Sequence, residues 1–313
     1  RTLRATGAAR FVAFSAAMAQ YADLLPAEAH RVLDMVDVDS DKWRQYGARH
    51  RGPLGMIYRR EARRLREWER AAAAAHDAVT LVSPAEAQLF RRIAPDAAER
   101  VVALGNGVDC AYFSPDAGYP DPYPPGTLPI VFTGAMDYWP NVDAVAWFAH
   151  EVLPRVRRRH PAAVFHIVGA RPAAAVRELG RQPGVEVVGA TPDMRPWLAH
   201  ARLVVAPLRV ARGIQNKVLE GFAMARPVLA TPMALEGLDL DAAYPLRAEQ
   251  PEELARMACD ALAFGDTAGL GARMRAWALE HYDWAGRLAP LDRLVEGTAN
   301  APPPAGAPRV ATR

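Results

Sequence analysis

Nine short apolar runs, separated by longer stretches with helical spacing, constrain what this 313-residue chain can fold into. The runs are continuous rather than alternating, which is typical of strands that helices cover on both faces of a parallel sheet. We predict strands at Phe11–Ser15, Arg31–Val38, Ala78–Ser83, Val101–Leu104, Ile130–Thr133, Val164–Val168, Val185–Val188, Leu203–Ala206 and Val228–Thr231. Between them, apolar residues recur at helical spacing, as at Val142, Val145 and Phe148. The sequence therefore predicts an α/β protein with parallel sheets.

The strands fall into two series, and the chain is long enough for two domains of about 150 residues each. The segment between the series, Ser114–Pro129, is rich in Pro, Gly, Asp and Tyr, which is typical of a linker. We predict a first domain over residues 1–113, a linker over 114–128, a second domain with a returning C-terminal helix over 129–296, and a disordered Pro- and Ala-rich tail over 297–313. Because a strand follows so soon after Arg1, we expect the first domain to be incomplete at its N-terminus.

Composition and charge exclude several classes of protein. The net charge of +3 is too small for the basic footprint of a nucleic-acid binder. The two cysteines, Cys110 and Cys259, match no metal-binding spacing, which favours reduced thiols. No apolar run reaches the roughly 18 residues of a membrane span. We expect a cytoplasmic protein without nucleic-acid partners.

The strongest chemical signal follows the predicted strand Leu203–Ala206. A helix is predicted to begin near Gly213 and to run to about Ala225. Ligands of parallel sheets bind at the carboxyl ends of strands, and the free N–H groups of a helix N-terminus suit an anionic phosphate. Arg209 and Arg212 precede this helix and can add charge-assisted hydrogen bonds to phosphate oxygens.

Two charged residues share a face of this predicted helix with Gly213. They are Lys217, one of only two lysines in the chain, and Glu220. A carboxylate can accept two hydrogen bonds from the vicinal diol of a ribose, each of about 1.5–3 kcal/mol. The alternative is a surface Lys–Glu pair on an ordinary helix.

Residues 212–231 read Arg-Gly-Ile-Gln-Asn-Lys-Val-Leu-Glu-Gly-Phe-Ala-Met-Ala-Arg-Pro-Val-Leu-Ala-Thr and resemble the donor-site segment of glycosyltransferase family four. Leu-Gly-Asn-Gly-Val-Asp at 104–109 resembles the family's hinge. Val-Phe-Thr-Gly-Ala-Met-Asp-Tyr-Trp-Pro-Asn-Val-Asp at 131–143 resembles the first strand and loop of its C-terminal domain. The resemblance covers residues 11 to 290. It implies the GT-B architecture, two Rossmann-like domains facing a cleft, and a retaining sugar transfer.

Further stretches narrow the resemblance to one branch. They are Val36-Asp-Val-Asp-Ser-Asp-Lys-Trp43, Tyr58-Arg-Arg-Glu61, residues 131–143 and residues 206–217. Together they resemble the sugar transferases associated with the exosortase/PEP-CTERM sorting system of Gram-negative bacteria. The resemblance implies a nucleoside-diphosphate sugar as co-substrate, no cofactor or metal, and a glycan or lipid-linked saccharide acceptor in exopolysaccharide synthesis.

The residue pattern and the resemblance together indicate roles for individual residues. We expect leaving-group stabilisation from Lys217, Arg212 and Arg209, and donor binding from Glu220, Gly134, Ala135, Gly213, Ile214 and Asn216. Two departures stand out. The family often has two glutamates spaced E-x7-E, whereas the first position here is Arg212, so the pattern does not identify the sugar. The loop Met136–Pro140 has no basic residue, and we expect Arg209, Arg212 and Lys217 to supply that charge.

An acidic cluster after the second predicted strand is the candidate acceptor side. We expect Asp37, Asp39 and Lys42 to contact acceptor hydroxyls at the edge that should face the cleft. The pattern Asp37-Val-Asp39 also matches the D-x-D of metal-dependent transferases. That motif belongs to a different, single-domain architecture, so we expect no metal. The alternative is a solvated acidic turn.

The stretch Arg59–Arg70 predicts a basic helix. It has six arginines with Tyr58, Leu65 and Trp68 interleaved. Such a helix can make peripheral contact with anionic lipid on the inner face of the cytoplasmic membrane. The alternative is a solvated helix whose arginines pair with Glu61, Glu67 and Glu69.

The sequence is also compatible with two other functions. A nucleotide-sugar epimerase of the same two-domain build would form product without an acceptor. A catalytically inactive subunit would bind nucleotide-sugar without turnover.

Overall fold

The two predicted series of strands form two separate parallel sheets in the computed structural model of the chain. The structure describes residues 7–50, 52–211, 213–241, 244–263 and 268–298. All nine predicted strands are present, with bounds within two residues of the prediction. The chain divides into two compact units. One contains the described residues up to Gly105 and from Arg287 onward, and the other contains Asn106–Gly286.

The first unit has a four-stranded sheet in sequential order. Its strands are β1 (Arg10–Phe14), β2 (His30–Val36), β3 (Ala78–Leu81) and β4 (Val101–Ala103), and its helices are α1 (Asp39–Arg49), α2 (Gly52–Ala74) and α3 (Pro84–Ile93), with 3-10 segments at Ala16–Leu24 and Pro95–Arg100. Leu33, Val79, Leu81 and Phe90 are fully buried in its core. Strands β2 and β3 thus supply much of this interior, whereas the edge strand β1 exposes Val12 and Phe14, so the prediction of burial on both faces was wrong for β1.

The second unit has a five-stranded sheet in the order β7-β6-β5-β8-β9. Its strands are β5 (Leu128–Thr133), β6 (Ala163–Val168), β7 (Val185–Gly189), β8 (Leu203–Ala206) and β9 (Val228–Ala230). The strand order reverses between β5 and β8. In open α/β sheets, this reversal opens a crevice at the carboxyl ends of the two strands, where ligands bind.

Nine helices follow the first three along the described residues. They are α4 (Trp139–Trp147), α5 (Leu153–Arg159), α6 (Ala174–Leu179), α7 (Arg195–Ala199), α8 (Asn216–Ala223), α9 (Pro232–Leu235), α10 (Pro251–Ala263), α11 (Ala268–Tyr282) and α12 (Trp284–Glu296), and a π-helical turn at Phe148–Val152 joins α4 to α5. Within the described ranges, none of the helices is both long and apolar enough to cross a membrane.

The helix after β8 is shorter than the sequence predicted. It begins at Asn216 instead of near Gly213, because Gly213 adopts a left-handed φ of 62° and Gln215 is extended. It ends at Ala223, two residues before the left-handed Ala225. Gly213 therefore lies in the loop before the helix and does not share a helical face with Lys217.

The division between the units differs from the predicted domain bounds. The segment 106–113 and the predicted linker 114–128 lie in the second unit. The Val108 N–H donates to the Tyr282 carbonyl at 2.8 Å, and the Cys110 N–H donates to Asp283 Oδ1 at 3.3 Å. These bonds attach the segment to the end of α11. The sequence analysis missed this attachment because the composition of a linker does not indicate its long-range hydrogen bonds.

The end of the chain belongs to the first unit. Helix α12 enters that unit at Arg287, and Leu294 is buried against Val32 and Ala78. Gly297, at a φ of 72°, and Thr298 cap the helix through their N–H groups, so these two residues are not part of a disordered tail. The rest of the predicted tail, residues 299–313, lies outside the described residues.

Helix α1 has an unusual N-terminus. Val38 stands at the N-cap and has no side-chain acceptor, so glutamates from other helices accept the free donors. Glu86 Oε2 accepts from the Val38 N–H at 2.9 Å, while Glu69 accepts from the Ser40 N–H at 2.9 Å and from the Ser40 hydroxyl at 2.5 Å. Glu69 is fully buried, and burial raises the pKa of its carboxyl although both Ser40 hydrogen bonds oppose this.

We expect Glu69→Ala to destabilise the first unit by about 2–4 kcal/mol, because two buried donors lose their acceptor and a cavity forms. Glu67→Ala on the exposed face of the same helix is the matched control, with an expected change within about 0.5 kcal/mol. Urea unfolding of the full chain measures both. Equal stability of the two variants would contradict this account of how α1 is capped.

Candidate functional site

The loop after β5 is joined to the segment after β6 by backbone hydrogen bonds. The Gly134 N–H donates to the Val168 carbonyl at 3.1 Å, and the Met136 N–H donates to the Ala170 carbonyl at 2.9 Å. The Ala173 N–H returns a bond to the Met136 carbonyl at 3.0 Å. The loop therefore has a fixed shape at the carboxyl end of the strand that borders the reversal in strand order.

Two glycines make this arrangement possible. A Cβ on Gly169 would lie 1.7 Å from the Gly134 carbonyl oxygen, and a Cβ on Gly134 would lie 2.8 Å from Asn141 Nδ2. The buried Asn141 amide donates to the Ala135 carbonyl at 2.9 Å, which connects the loop to α4. The predicted donor residues Gly134 and Ala135 thus lie on a tightly held turn where backbone can closely approach a ligand.

Lys217 reaches this turn from α8. Its Cε lies 3.5 Å from the position of a Cβ on Gly134, and its ammonium lies 5.3 Å from the centroid of the Phe132 ring. Burial lowers the pKa of Lys217 to about 8, although the nearby Glu220 carboxylate raises it. Among the described residues, no hydrogen bond or ion pair reaches the Lys217 ammonium. This half-buried cation is therefore available to an anion at the reversal in strand order.

The other face of α8 explains how Lys217 is positioned. Val218, Leu219 and Phe222 are fully buried, and Gly221 has no room for a side chain because Val228 lies against it. This packing turns Lys217 and Glu220 away from the core, each of them half-buried. Burial raises the pKa of Glu220, and Lys217 partly offsets that effect. The predicted Lys–Glu pair is therefore partly desolvated, unlike an ordinary surface pair.

Arg209 has a carboxylate partner that the sequence did not predict. Its guanidinium makes a bidentate ion pair with Asp143 of α4, with Nε 3.0 Å from Oδ2, and lies 5.4 Å from the centroid of the Trp147 ring. Half of the Arg209 side chain is exposed. Its charge is balanced by Asp143 in this structure. Arg212, the other predicted arginine, lies outside the described residues.

A basic residue missed by the sequence analysis lies beside the β5 loop. Arg171 follows β6, and its Nε lies 2.5 Å from Asp137 Oδ2. This hydrogen bond lowers the pKa of Asp137. The loop after β5 thus has a neighbouring cation although its own sequence contains none. The pair was missed because the two residues are 34 positions apart in sequence. It could have been predicted from the expectation that the ends of two parallel strands lie at the same edge of the sheet.

The remaining predicted donor residues lie on the approach to α8. Gly213 is left-handed, Ile214 packs near Gly237, and Asn216 is the exposed first residue of the helix. Gly134, Ala135 and Lys217 are therefore brought together at one edge of the sheet, with Glu220 one turn further along α8. Gly213, Ile214 and Asn216 belong to the segment that leads into that helix.

The predicted acceptor-side residues lie in the first unit, where β2 ends and α1 begins. Asp37 and Lys42 are exposed, and Asp39 is in the first turn of α1. Val36, just before them, has a φ of 67°. This conformation is strained for a β-branched residue, and such strained residues cluster at functional sites. Within the described ranges, no three His, Cys, Asp or Glu side chains are grouped so as to hold a metal ion.

Comparison with known proteins agrees with this geometry. Residues 128–263 match the family model described as Glycosyl transferases group 1, and they include β5 to β9 and α8. No curated protein sequence matches the chain.

Several solved structures share the fold at low sequence identity. A glycosyltransferase from Rickettsia africae is 16% identical with a TM-score of 0.60, covering 88% of this chain and 72% of its own. HepE of Anabaena in complex with UDP is 14% identical with a TM-score of 0.63, covering 95% and 81%. WaaG, a glycosyltransferase involved in lipopolysaccharide biosynthesis, is 16% identical with a TM-score of 0.63, covering 85% and 75%.

These structures bear out the predicted α/β fold with two Rossmann-like domains of the GT-B type. The family match identifies residues 128–263 as a glycosyl transferases group 1 domain, which makes the chain a transferase enzyme.

Proposed function

We propose that this enzyme transfers a sugar from a nucleoside-diphosphate sugar to an acceptor hydroxyl, and that the donor diphosphate binds where the β5 loop meets α8. The observation that carries the proposal is the half-buried Lys217 ammonium, which lies beside Gly134 and has no hydrogen bond or ion pair to a described side chain, although the Glu220 carboxylate is near enough to raise its pKa.

Stabilisation of the leaving group follows from the same residues. As the bond between the sugar and the diphosphate breaks, negative charge develops on the diphosphate. A preorganised cation and backbone N–H groups in a partly dry site stabilise such charge strongly. Lys217 would supply the cation, and the first turn of α8 would supply the N–H groups. We assign Gly134 and Ala135 to the backbone that approaches the phosphates.

Glu220 has the position and character of a ribose ligand. Its carboxylate would accept hydrogen bonds from both ribose hydroxyls, which replace the water that burial removes. Arg209 and Arg212 are proposed as further contacts to the diphosphate. Arg209 would exchange part of its bond to Asp143 for a phosphate oxygen, a change that its half-exposed side chain permits.

The finer assignments rest on the sequence stretches described above. We propose retention of anomeric configuration and a glycan or lipid-linked saccharide acceptor contacted by Asp37, Asp39 and Lys42. The physiological role would be exopolysaccharide synthesis in the exosortase-associated branch. The crystal structure of HepE contains UDP, and WaaG is involved in lipopolysaccharide biosynthesis, so uridine nucleotides and glycan acceptors are the first to test. Transfer of labelled sugar only in the presence of an acceptor would separate this function from epimerisation.

Calorimetric titration of UDP, GDP and ADP tests the site directly. We expect one of the three to bind, and we expect Glu220→Ala to weaken its binding roughly 10- to 150-fold, the equivalent of about 1.5–3 kcal/mol for hydrogen bonds to a charged group. Glu280→Ala, on the exposed side of α11, is the matched control and should bind like wild type. Equal binding by both variants would remove Glu220 from the site.

The pH dependence of nucleotide binding tests Lys217. Its pKa of about 8 means that the ammonium is charged below pH 8 and loses its proton above it. A bound diphosphate stabilises the charged form, so affinity should fall as pH rises through 8 and binding near pH 8 should take up a proton. The phosphate titrates near pH 6, below this range.

Titrations in two buffers of different ionisation enthalpy measure that proton uptake. Lys217→Met should bind more weakly at pH 7 and should lose both the uptake and the fall above pH 8. A variant with the same pH profile as wild type would show that another group is responsible.

A further inference from the structure

Helix α2 has two faces of opposite character. Gly55, Ala62, Glu69 and Ala73 are buried on one side, and the positions opposite them on a helix with 3.6 residues per turn are exposed. The helix packs tightly on α1 and on the residue that caps it: a Cβ on Gly47 of α1 would lie 2.8 Å from Arg59 Cγ, and a Cβ on Gly55 would lie 2.0 Å from the carbonyl oxygen of the C-cap residue His50. Tyr58 packs between the helices. The α1–α2 hairpin therefore holds the outer face of α2 in a fixed orientation.

The first turns of that helix expose large apolar side chains. Met56 is 66% exposed, Ile57 is 53% exposed and Leu54 is 47% exposed. Exposing three neighbouring apolar side chains to water at one end of a helix costs free energy. Exposed apolar patches of this kind often mark interaction sites.

Exposed arginines continue from this apolar turn. Arg60, Arg63, Arg64 and Arg66 are exposed, and none has an ion pair or hydrogen bond to the described residues. Arg59 instead donates to the Gly47 carbonyl at 2.8 Å, and Arg70 lies 3.6 Å from Asp96.

The glutamates that were the alternative partners do not neutralise these arginines. Glu69 is buried on Ser40, and no ion pair between Glu61 or Glu67 and an arginine occurs in the described part of the chain. Glu67 is exposed on the same face, but Arg60, Arg63 and Arg64 outnumber it. The outer face of α2 therefore combines an apolar turn with a net positive charge.

We propose that this face of α2 lies on a bilayer that contains anionic lipid. Met56 and Ile57 would enter the boundary between headgroups and acyl chains, and Arg60, Arg63 and Arg64 would lie against lipid phosphates. Apolar and basic residues on one helix face are the combination that binds in the interfacial plane, and long arginine side chains can extend toward the headgroups.

The positive charge of this face favours anionic lipid over a second copy of the chain as the binding partner. A two-fold contact places the same patch on both sides of an interface, so the arginines of one copy would oppose those of the other. Anionic lipid instead offers the opposite charge beside an apolar layer. Such docking would bring the enzyme to acceptors held in the membrane.

Co-sedimentation of the full chain with phosphatidylcholine vesicles, with and without phosphatidylglycerol, tests the proposal. We expect binding to the anionic vesicles only, weakening as added salt shortens the screening length. Each arginine near an anionic surface contributes about fivefold to partitioning, so the triple variant Arg60→Gln, Arg63→Gln, Arg64→Gln should lower it about 100-fold. The pair Met56→Ser, Ile57→Ser should also lower it.

A matched variant removes the same charge elsewhere. Arg158, Arg159 and Arg273 are exposed in the second unit, and their triple change to Gln should leave vesicle binding within about twofold of wild type. Thermal unfolding confirms that each variant is folded. The proposal is overturned if wild type shows no preference for anionic vesicles, or if the matched variant loses as much binding as the α2 variant. It is also overturned if the chain forms a dimer that the Met56 and Ile57 changes dissociate while vesicles bind nothing.

Discussion

The candidate site depends on the contact between the backbones of Gly134 and Gly169. At this point two neighbouring parallel strands end so close together that a single methyl group would overlap a carbonyl oxygen. The contact fixes the β5 loop, and Lys217 approaches this loop at Gly134. The Lys217 ammonium is held beside this loop, partly desolvated and with its pKa lowered. Cations with lowered pKa values are enriched at functional sites, and this one lies beside a tightly held turn.

A different constraint organises the end of the first sheet. Helix α1 begins at a valine that cannot cap it, so Glu69 and Glu86 accept its free N–H groups from outside. Val36, two residues earlier, is held in a strained conformation. These contacts fix the place of the short acidic segment that carries Asp37 and Asp39. Glu69 is buried and accepts hydrogen bonds from Ser40, so it is not available as an ion-pair partner for the exposed arginines of α2.

Much of the fold could be predicted because continuous apolar runs determine buried strands directly. Leu203–Ala206 was predicted to the residue, whereas the order of the strands, and with it the reversal beside this strand, was not predicted. The start of α8 was missed because a single left-handed glycine delays the helix, and helical periodicity does not report φ. The partners of Arg209 and Arg171 were missed because Asp143 and Asp137 are 66 and 34 positions away in sequence. Ion pairs across a sheet edge depend on register, which a linear pattern does not contain. Glu69 shows the same limit, since its spacing on α2 fits a surface partner and only the packing of α1 buries it.

Hydrogen–deuterium exchange with and without UDP tests most directly whether the nucleotide binds at the reversal in strand order. The account predicts slower exchange in two segments that are distant in sequence, 134–138 after β5 and 213–219 at the start of α8. Residues 101–103 in β4 of the first unit serve as the reference and should exchange at the same rate in both states. Protection by UDP that spares both segments, or that is confined to one of them, would contradict the site.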